Sequence, residues 1–538
     1  PKQKQEPKPK QKQEPKPKQE TKQQEDPPKN PSKKPRRDPG PPLLPGRLPL
    51  RKAARPDQKD LTSATALDNL LSTAFPVEDR GGMDSRIYAL WVLQRLVEEW
   101  GVNYAWHFGL DLTEAHIRHS MKVSTLGSYR LGVVQAESDI DCVVLAPPWA
   151  SRELFFLSFP YVLQNHYEVS ECIPIPTAYT PVIKLKICNV DVDLLFARMT
   201  ELVAPKENLE LTCRSDSVVK DMDGRCIRSL NGLRVADAIL ESVPKKIVFH
   251  ALLRPIKYWA RNRCIYGNVS GFFGGISWSL LVAKICAMYP KKPLTFLIEQ
   301  FFNLYANWDW KTPVMIKDIQ LPPEELMNDP DLQVWNPFKK GTDARHVMPV
   351  ITPCFPCMNT THNISRSTRR IMQEEFTRGV EVMREMKLGN AQWEDLFEYL
   401  DLFEMYDHYI VVEVEATTAE ILETFCNWMD TRCLRQVTLA LEQVEGLEVH
   451  PYPLPYRGDK VGAKRSCRCG YFYGMRFVPG VYNKKGRIVD MRPAICEITK
   501  LLNNYPDKEK FRGRLVLKTY RCNKDTLPGY LFPSEPLE

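Results

Sequence analysis

Hydrophobic side chains recur at helical spacing in several parts of this chain. Residues 84–101 place apolar side chains three and four positions apart, and Gly101 is a natural end for that helix. The same spacing predicts helices over 247–263, 276–288 and 367–386. We therefore expect the middle of the chain to be largely helical.

Other segments show the shorter period and the compact apolar runs of β-strands. Residues 140–146 form an apolar run that predicts a buried strand. Residues 182–187 and 190–196 predict two further strands, joined as a hairpin by a turn at Cys188-Asn189. A mixed sheet with helices around it is thus expected between residues 84 and 200.

The C-terminal part alternates between the two periods. The pattern predicts, in order, a strand at 408–414, helix at 417–445, strands at 447–453 and 471–478, a helix at 491–504 and a strand at 512–520. This β-α-β-β-α-β order is that of a ferredoxin-like or RRM-like sheet. The fold class predicted for the whole chain is α+β and multidomain.

The first 60 residues have a different composition from the rest. Residues 1–40 contain no Ala, Val, Ile, Leu, Met, Phe, Trp, Tyr or Cys, and the octet at 1–8 is repeated at 9–16. The first 60 residues carry a net charge of +10, against +8 for the whole chain. Such a segment has nothing to bury and is expected to be a disordered basic tail. Lys33–Arg37 within it is interpreted either as a nuclear import signal or as a solvated charge run.

Cysteine spacing and hydropathy limit the compartment. The 15 cysteines follow no regular spacing, which is typical of reduced thiols in the cytosol or nucleus. Cys354 with Cys357, and Cys467 with Cys469, could supply four thiolates to zinc, but we place the pairs in different domains and favour no zinc site. The longest apolar run, from Leu154 to Leu163, is too short to span a bilayer, so no membrane association is predicted.

Carboxylates close to a Gly-Ser turn indicate phosphate chemistry. Gly127 and Ser128 can offer backbone N–H groups and a hydroxyl to phosphate. Asp139 and Asp141 have the same parity and would share one face of a strand, where their repulsion favours a bound cation such as Mg²⁺. Asp191 and Asp193 also share a parity, so alternation leaves open which of them joins the site. A phosphate-binding turn beside clustered aspartates is typical of two-metal nucleotidyl transfer.

The segments that carry this chemistry resemble a known family. LGSYRLGV with SDIDCVVLAP, PVIKLKI with VDVDLLFAR, RSLNGLRVADAIL, RPIKYWARNRCIYGNVSGFFGGISWSLLVA and MPVITPCFP are similar, in this order, to the eukaryotic nuclear poly(A) polymerases. The resemblance implies a palm of the DNA polymerase β superfamily, a helical middle domain and an RRM-like RNA-binding domain. It also implies template-independent transfer of AMP from ATP to the 3′-hydroxyl of RNA, with pyrophosphate released.

The resemblance also implies domain boundaries and partners. The expected parts are a tail at 1–60, a nucleotidyltransferase palm at 61–200, a helical domain at 201–395 and an RRM-like domain at 396–538. The expected cofactors are two Mg²⁺ or Mn²⁺ ions, with ATP as substrate. A nuclear monomer that acts on RNA 3′ ends in mRNA polyadenylation, together with cleavage and polyadenylation factors, is expected.

Site residues carried over from the family fall into two groups. The metal ligands and catalytic residues are expected to be Asp139, Asp141 and Asp193, so the resemblance selects Asp193 over Asp191. The nucleotide-binding residues are expected to be Gly127, Ser128, Asn231, Lys257, Tyr266, Gly275 and Ile276. Lys257 would neutralise phosphate charge and Tyr266 would stack on adenine. The chain departs from the family at Leu126, where Phe is usual, and at Arg261, where Lys is usual.

Rival functions and an RNA surface complete the expectations. A uridylyltransferase or an oligoadenylate synthetase would also show the Gly-Ser turn and three aspartates, whereas a catalytically dead RNA-binding scaffold would have lost one. Two sets of side chains are interpreted either as an RNA-binding surface or as solvated surface. They are Lys464, Arg465 and Arg468 beside Tyr471 and Tyr473, and Arg512, Arg514 and Lys518 on one face of a strand. Aromatic residues at helical spacing, namely Trp259, Trp278, Tyr258 and Phe272, are predicted to be core.

Overall fold

The structure is a computed structural model that describes most of the chain from residue 58 to residue 531. The ranges it does not describe within those limits are 137, 179, 201–208, 220, 321–331, 333, 339–340, 342, 462–465 and 479–488. The predicted tail up to residue 57 and the Lys464-Arg465 pair lie outside the described residues. Among the described helices, none combines the length and the apolar character needed to cross a membrane.

The first sheet has five strands and carries two parallel strands at its centre. Its strands are β1 (Lys122–Thr125), β2 (Ile140–Ala146), β3 (Val169–Ile175), β4 (Val182–Ile187) and β5 (Val190–Arg198), in the order β1-β2-β5-β4-β3. Strands β2 and β5 are parallel, and the other pairs are antiparallel. The helices of this half are α1 (Gln58–Ala74), α2 (Arg80–His107), α3 (Glu114–His119), α4 (Gly127–Arg130) and α5 (Arg152–Gln164). The predicted strand at 140–146 is confirmed.

Helix α2 continues beyond the end that the sequence predicts for it. It passes through Gly101, which is buried, and ends at His107. A Cβ atom at position 101 would collide with the sulfur of Met121, so the glycine allows α2 to pack closely on the chain that leads into β1. The stop predicted at Gly101 is therefore wrong, because this glycine is needed for packing and not for a helix cap.

The hairpin predicted around Cys188-Asn189 is confirmed. Strands β4 and β5 are joined by these two residues alone, and both have positive φ, 51° at Cys188 and 62° at Asn189. Two consecutive residues with positive φ are typical of a type I′ turn, whose twist matches that of the strands it connects. The turn fixes the register, so that Lys184 lies opposite Asp193.

Helices dominate the middle of the chain, as predicted. They are α6 (Leu209–Thr212), α7 (Gly224–Ser242), α8 (Lys246–Asn262), α9 (Gly275–Met288), α10 (Leu294–Ala306), α11 (Arg366–Leu388), α12 (Trp393–Leu396) and α13 (Leu402–Met405). Trp259, Trp278 and Phe272 are fully buried and Tyr258 packs against them, so the core interpretation of these aromatic residues is confirmed. Helix α1 packs on this helical core through Leu67 and Leu71.

The second sheet has the element order predicted for the C-terminal part, with one additional strand. Its elements are β6 (His408–Ala416), α14 (Ala419–Trp428), a π-helical turn (Met429–Cys433), α15 (Leu434–Leu441), β7 (Leu447–Pro451), β8 (Tyr456–Val461), β9 (Ser466–Phe477), α16 (Arg492–Asn503) and β10 (Leu515–Asn523). The strands lie in the order β10-β6-β9-β7, and the additional strand β8 pairs with β9.

Both faces of the second sheet are covered, which changes the interpretation of its tyrosines. Tyr471 and Tyr473 are 4% and 1% exposed and lie in the core shared with the helices α14 to α16. Residues such as Phe403 and Leu531 cover the opposite face. The prediction that Tyr471 and Tyr473 stack RNA bases is therefore wrong, because neither ring reaches solvent.

The basic strand predicted at 512–520 begins three residues later. Strand β10 starts at Leu515, so Arg512 and Arg514 precede it, and Gly513 between them has a φ of 73° that no strand adopts. Lys518 lies in the strand, where its ammonium contacts Glu415 at 3.1 Å and Glu413 at 3.7 Å. The three cations therefore do not share one face of a strand.

Candidate active site

Three carboxylates from two adjacent parallel strands converge at one place. Asp139 immediately precedes β2, Asp141 lies in β2, and Asp193 lies opposite Asp141 in β5. Each of the three can place a carboxylate oxygen within 4.8 Å of the others. They are the one group of three or more acidic, histidine or cysteine side chains with this geometry in the described ranges.

The carboxylates repel one another in a partly buried setting. Burial, followed by the charges of Asp139 and Asp193, raises the pKa of Asp141 to about 7, against the opposing effect of Lys184. Burial also raises the pKa of Asp193, against the opposing effect of Lys184. A divalent cation relieves this repulsion, and carboxylate oxygens are the donors that Mg²⁺ prefers. The three residues therefore fit a divalent metal ion.

Asp191 and Asp193 point to the same side of β5 but differ in what they touch. Asp191 has a 67% exposed side chain and lies 3.5 Å from the ammonium of Lys186. It borders the cavity described below, yet it is not a member of the carboxylate group, which includes Asp193. A metal ligand must reach the other two carboxylates, and of this pair it is Asp193 that does so.

Lys184 is a cation at the site that the sequence reasoning missed. Its ammonium lies 3.7 Å from Asp193 Oδ2, and the two residues face each other across the β4–β5 hairpin. The signal was present in the sequence. A two-residue turn at 188–189 pairs Ile187 with Val190, and counting back along both strands brings Lys184 opposite Asp193.

Gly127 opens the turn next to the carboxylates and no other residue fits there. Its φ is 56°, which side chains disfavour, and a Cβ atom would collide with the Asp141 carboxylate. The backbone N–H of Leu126, the preceding residue, donates to Asp141 O at 2.8 Å. The Gly127-Ser128 backbone is thus held directly beside the carboxylates.

A cavity of about 890 Å³ joins this turn to the helical core. Of the residues predicted for the site, those that line it are Gly127, Ser128, Asp139, Asp141, Lys257, Tyr266, Gly275 and Ile276. The fold therefore brings together residues that lie up to about 150 positions apart in the chain. A cavity of this size is typical of small-molecule sites.

Another part of the cavity wall combines a buried ammonium with a guanidinium that lies over two aromatic rings. Lys257 is 5% exposed, and burial, followed by the charge of Arg261, lowers its pKa to about 8. The Arg261 guanidinium lies over the ring of Tyr266 at 5.1 Å and over that of Phe75 at 5.5 Å. Phe75, just beyond α1, also lines the cavity and was not predicted from the sequence.

Asn231 lies behind the cavity and not on its surface. It is buried on α7, where its side-chain amide donates to Pro356 O at 3.4 Å and its Oδ1 accepts from Arg234 at 3.5 Å. It is not among the residues that line the cavity. Asp193 likewise does not line the cavity but belongs to the carboxylate group at its edge.

Arg130 ties the Gly-Ser turn to the helix that carries Asn231. Its Nε donates to Asp237 Oδ1 at 2.6 Å and its second guanidinium nitrogen donates to Asp237 Oδ2 at 3.0 Å. Arg130 and Asp237 have side chains that are 12% and 5% exposed. A bidentate pair in this setting fixes both the distance and the angle between α4 and α7.

The fold and the carboxylate group together define a nucleotidyltransferase. Residues 49–243 match the family model described as the poly(A) polymerase nucleotidyltransferase domain. Residues 248–399 match the one described as the poly(A) polymerase central domain. The helical middle of the chain is therefore of the poly(A) polymerase type, as well as the first sheet.

The chain belongs to the poly(A) polymerase family. It is 38% identical to the poly(A) polymerase PAPalpha of Candida albicans over 398 residues, 72% of this chain and 69% of that protein. It is 35% identical to nuclear poly(A) polymerase 1 of Arabidopsis thaliana over 484 residues, 89% of this chain and 65% of that protein. It spans between half and two thirds of the length of the Arabidopsis relatives that it matches.

Solved structures with a similar chain path include a cytoplasmic RNA terminal U-transferase. That match has a TM-score of 0.43 and 15% sequence identity, and it covers 64% of this chain and 99% of the other. A likeness at this level favours neither uridine nor adenosine as the base that this chain uses.

Proposed function

We propose that this chain transfers AMP from ATP to the 3′-hydroxyl of RNA without a template and releases pyrophosphate. One observation carries the proposal: Asp139 and Asp141 of the carboxylate group line the same cavity as Lys257 and Tyr266. Membership of the poly(A) polymerase family supports ATP as the nucleotide. All three carboxylates are present, which argues against a catalytically dead scaffold.

The residues of the first sheet would hold the reacting groups. Divalent metal ions, two Mg²⁺ or Mn²⁺ in our proposal, would activate the 3′-hydroxyl and stabilise the charge that develops on the leaving pyrophosphate. Asp139, Asp141 and Asp193 would be their protein ligands. The Gly127-Ser128 turn would present backbone N–H groups and a hydroxyl to the triphosphate. Gly127 allows this close approach because it has no side chain.

The helical wall would bind the nucleotide. The buried ammonium of Lys257 would neutralise triphosphate charge, and phosphate would in turn stabilise its protonated form. Tyr266 would stack on the adenine, and the Arg261 guanidinium would lie on the other face of the tyrosine ring. Gly275 and Ile276 would lie beside the base. Asn231 would act from behind the cavity surface, after a change of its present contact with Pro356.

The remaining expectations are part of the same proposal. The parts would be a catalytic palm at 61–200, a helical domain at 201–395 and an RRM-like RNA-binding domain at 396–538, preceded by the tail at 1–60. The strand order of the second sheet is compatible with an RRM-like fold. The names of the plant relatives support a nuclear location. Action as a monomer with cleavage and polyadenylation factors is proposed by analogy with the family.

Primer extension with each nucleotide supplied singly tests the proposal. A labelled oligo(A) primer is incubated with the protein, Mg²⁺ or Mn²⁺, and ATP, UTP, GTP or CTP. We expect extension with ATP and none with the Asp141→Asn variant. Extension chiefly with UTP would identify a uridylyltransferase, and primer-independent polymerisation of ATP would identify an oligoadenylate synthetase. Binding of oligo(A) without extension by any nucleotide would identify a scaffold.

A further inference from the structure

The loop that connects α8 to α9 supplies an aromatic wall of the cavity but contains strained backbone. It runs from Arg263 to Gly274 and carries Tyr266, with Gly275 as the first residue of α9. Cys264 has a φ of 55°, a conformation that costs a residue other than glycine of order 1 kcal/mol. Such a conformation persists only when the surroundings hold it. The contacts that hold this loop therefore decide where Tyr266 lies.

The second sheet supplies several of those contacts, from β7 and from the connection between β7 and β8. The helical domain supplies others, such as the buried ion pair of Arg263 with Glu375. His450, in β7, places its Nε2 3.3 Å from Cys264 O. The hydroxyl of Ser270 donates to Pro453 O at 2.7 Å. The rings of Phe272 and His450 meet at 5.6 Å in an edge-on arrangement. The loop is thus contacted near its start, middle and end by residues about 180 positions away in the chain.

His450 is itself held in one orientation and one tautomer. It is 1% exposed, and its Nδ1 lies 2.9 Å from the hydroxyl of Tyr406. Since Cys264 O can only accept, the proton of the neutral ring must be on Nε2, and Nδ1 must accept from Tyr406. Tyr406 in turn packs on Gly474 of β9, where a Cβ atom would collide with its ring. The imidazole therefore transmits the position of the sheet to the loop.

We propose that His450 is a positioning residue for the nucleotide cavity, through which the C-terminal sheet sets the place of Tyr266 and hence the affinity for ATP. This inference rests on the proposed function, because it assigns Tyr266 to the nucleotide. It makes the second sheet part of the nucleotide site, in addition to any role of that sheet with RNA. Removal of the Nε2 donor would leave Cys264 O buried without its partner.

Two variants of His450 and one of its neighbour test the inference. His450→Leu keeps the volume and removes the donor, whereas His450→Gln keeps a donor and an acceptor. Val449→Ala weakens the same strand from its other side, where Val449 is fully buried against the helices of the sheet. The readouts are KM and kcat for ATP in primer extension, and hydrogen exchange of the backbone amides between residues 264 and 275.

We expect His450→Leu to raise the KM for ATP about tenfold, with kcat at saturating ATP within about twofold of the parent value. Amide exchange in the loop should rise in the same variant. In His450→Gln, the KM for ATP and the amide exchange of the loop should both stay near the values of the parent protein. Val449→Ala should change neither of these two readouts, although it lowers stability. An equal rise of KM in His450→Leu and Val449→Ala, or an unchanged loop in His450→Leu, would overturn the inference. If the parent protein incorporates no nucleotide, the proposed function fails, and the exchange measurement still decides whether His450 holds the loop.

Discussion

Asp141 and Asp193 lie directly opposite each other on the two parallel strands β2 and β5. The strands are neighbours at the centre of their sheet, so the two carboxylates share one face at the distance of a strand pair. Asp139, one residue before β2, completes the group. The geometry of this site is therefore a property of the sheet and not of a flexible loop.

Substitutions can distinguish the proposed metal ligand Asp193 from its neighbour Asp191. We expect Asp193→Asn to lower kcat/KM roughly a thousandfold, because it removes a proposed metal ligand but keeps the size of the side chain. Asp191→Asn, the matched control, removes an exposed charge that is paired with Lys186 and should cost less than about tenfold. Initial rates of primer extension at saturating metal give both numbers. The assignment of the third ligand is wrong if the Asp191 variant is the weaker enzyme.

The affinity for ATP should fall as the pH rises through about 8. The pKa of Lys257 is lowered to about 8 by burial and then by Arg261, so the free protein loses this ammonium above that pH. An ordinary lysine would keep its charge to about pH 10.4. The measurement is kcat/KM for ATP between pH 7 and 9.5, and Lys257→Arg should flatten the profile because guanidinium stays protonated. A profile that is flat in the parent protein would contradict this.

Gly275 and Tyr266 should be coupled. A Cβ atom at position 275 would lie 3.0 Å from the hydroxyl oxygen of Tyr266, so Gly275→Ala must shift that hydroxyl by a few tenths of an ångström. We expect a rise of about threefold to tenfold in the KM for ATP, given typical coupling between residues in contact. Tyr266→Phe removes the hydroxyl and should make Gly275→Ala nearly neutral in the double variant. Additive effects in this double-mutant cycle would show that the two residues do not interact.

The ion pair of Arg130 with Asp237 should contribute more to the free energy of unfolding than the neighbouring contact of Arg214 with Asp237. Arg130→Ala would leave Asp237 buried with less compensation, and we expect the free energy of unfolding to fall by about 3–5 kcal/mol. Arg214 also contacts Asp237, at 3.0 Å, but its side chain is 43% exposed. Arg214→Ala should therefore cost about 0–1 kcal/mol. Urea unfolding of the two variants measures the difference, and equal losses would count against a special role for Arg130.

Local patterns were sufficient where one strand or one turn decides the structure. The limits of β2 and the hairpin at 188–189 follow from a continuous apolar run and from a two-residue turn. Local patterns failed where a contact with a residue elsewhere in the chain decides the structure. Gly101 was interpreted as a helix end because the sequence does not reveal that Met121 packs against it. Tyr471 and Tyr473 were interpreted as exposed because alternation does not show that both faces of a sheet are covered.

The carboxylates and the Gly-Ser turn of the site were predictable from local patterns, whereas Lys257, Tyr266, Gly275 and Ile276 were predictable only through the family resemblance. The Gly-Ser turn and the acidic strands are local signals, and they line or adjoin the cavity as expected. Phe75 and the contact of His450 with Cys264 depend on how α1 and the second sheet pack on the helical core. No local period carries such information, because the contacting residues are far apart in sequence.

The length of the two-residue turn at Cys188-Asn189 determines which side chains of β5 face the carboxylate group. Side chains alternate between the faces of a strand, so one residue more or less in this connection would rotate every later side chain of β5 to the opposite face. After a one-residue insertion, Asp193 would leave the carboxylate group. Val192, which is buried in the present structure, would take its place. An insertion between Cys188 and Asn189 is thus expected to act as an active-site mutation, although it changes no residue of the site.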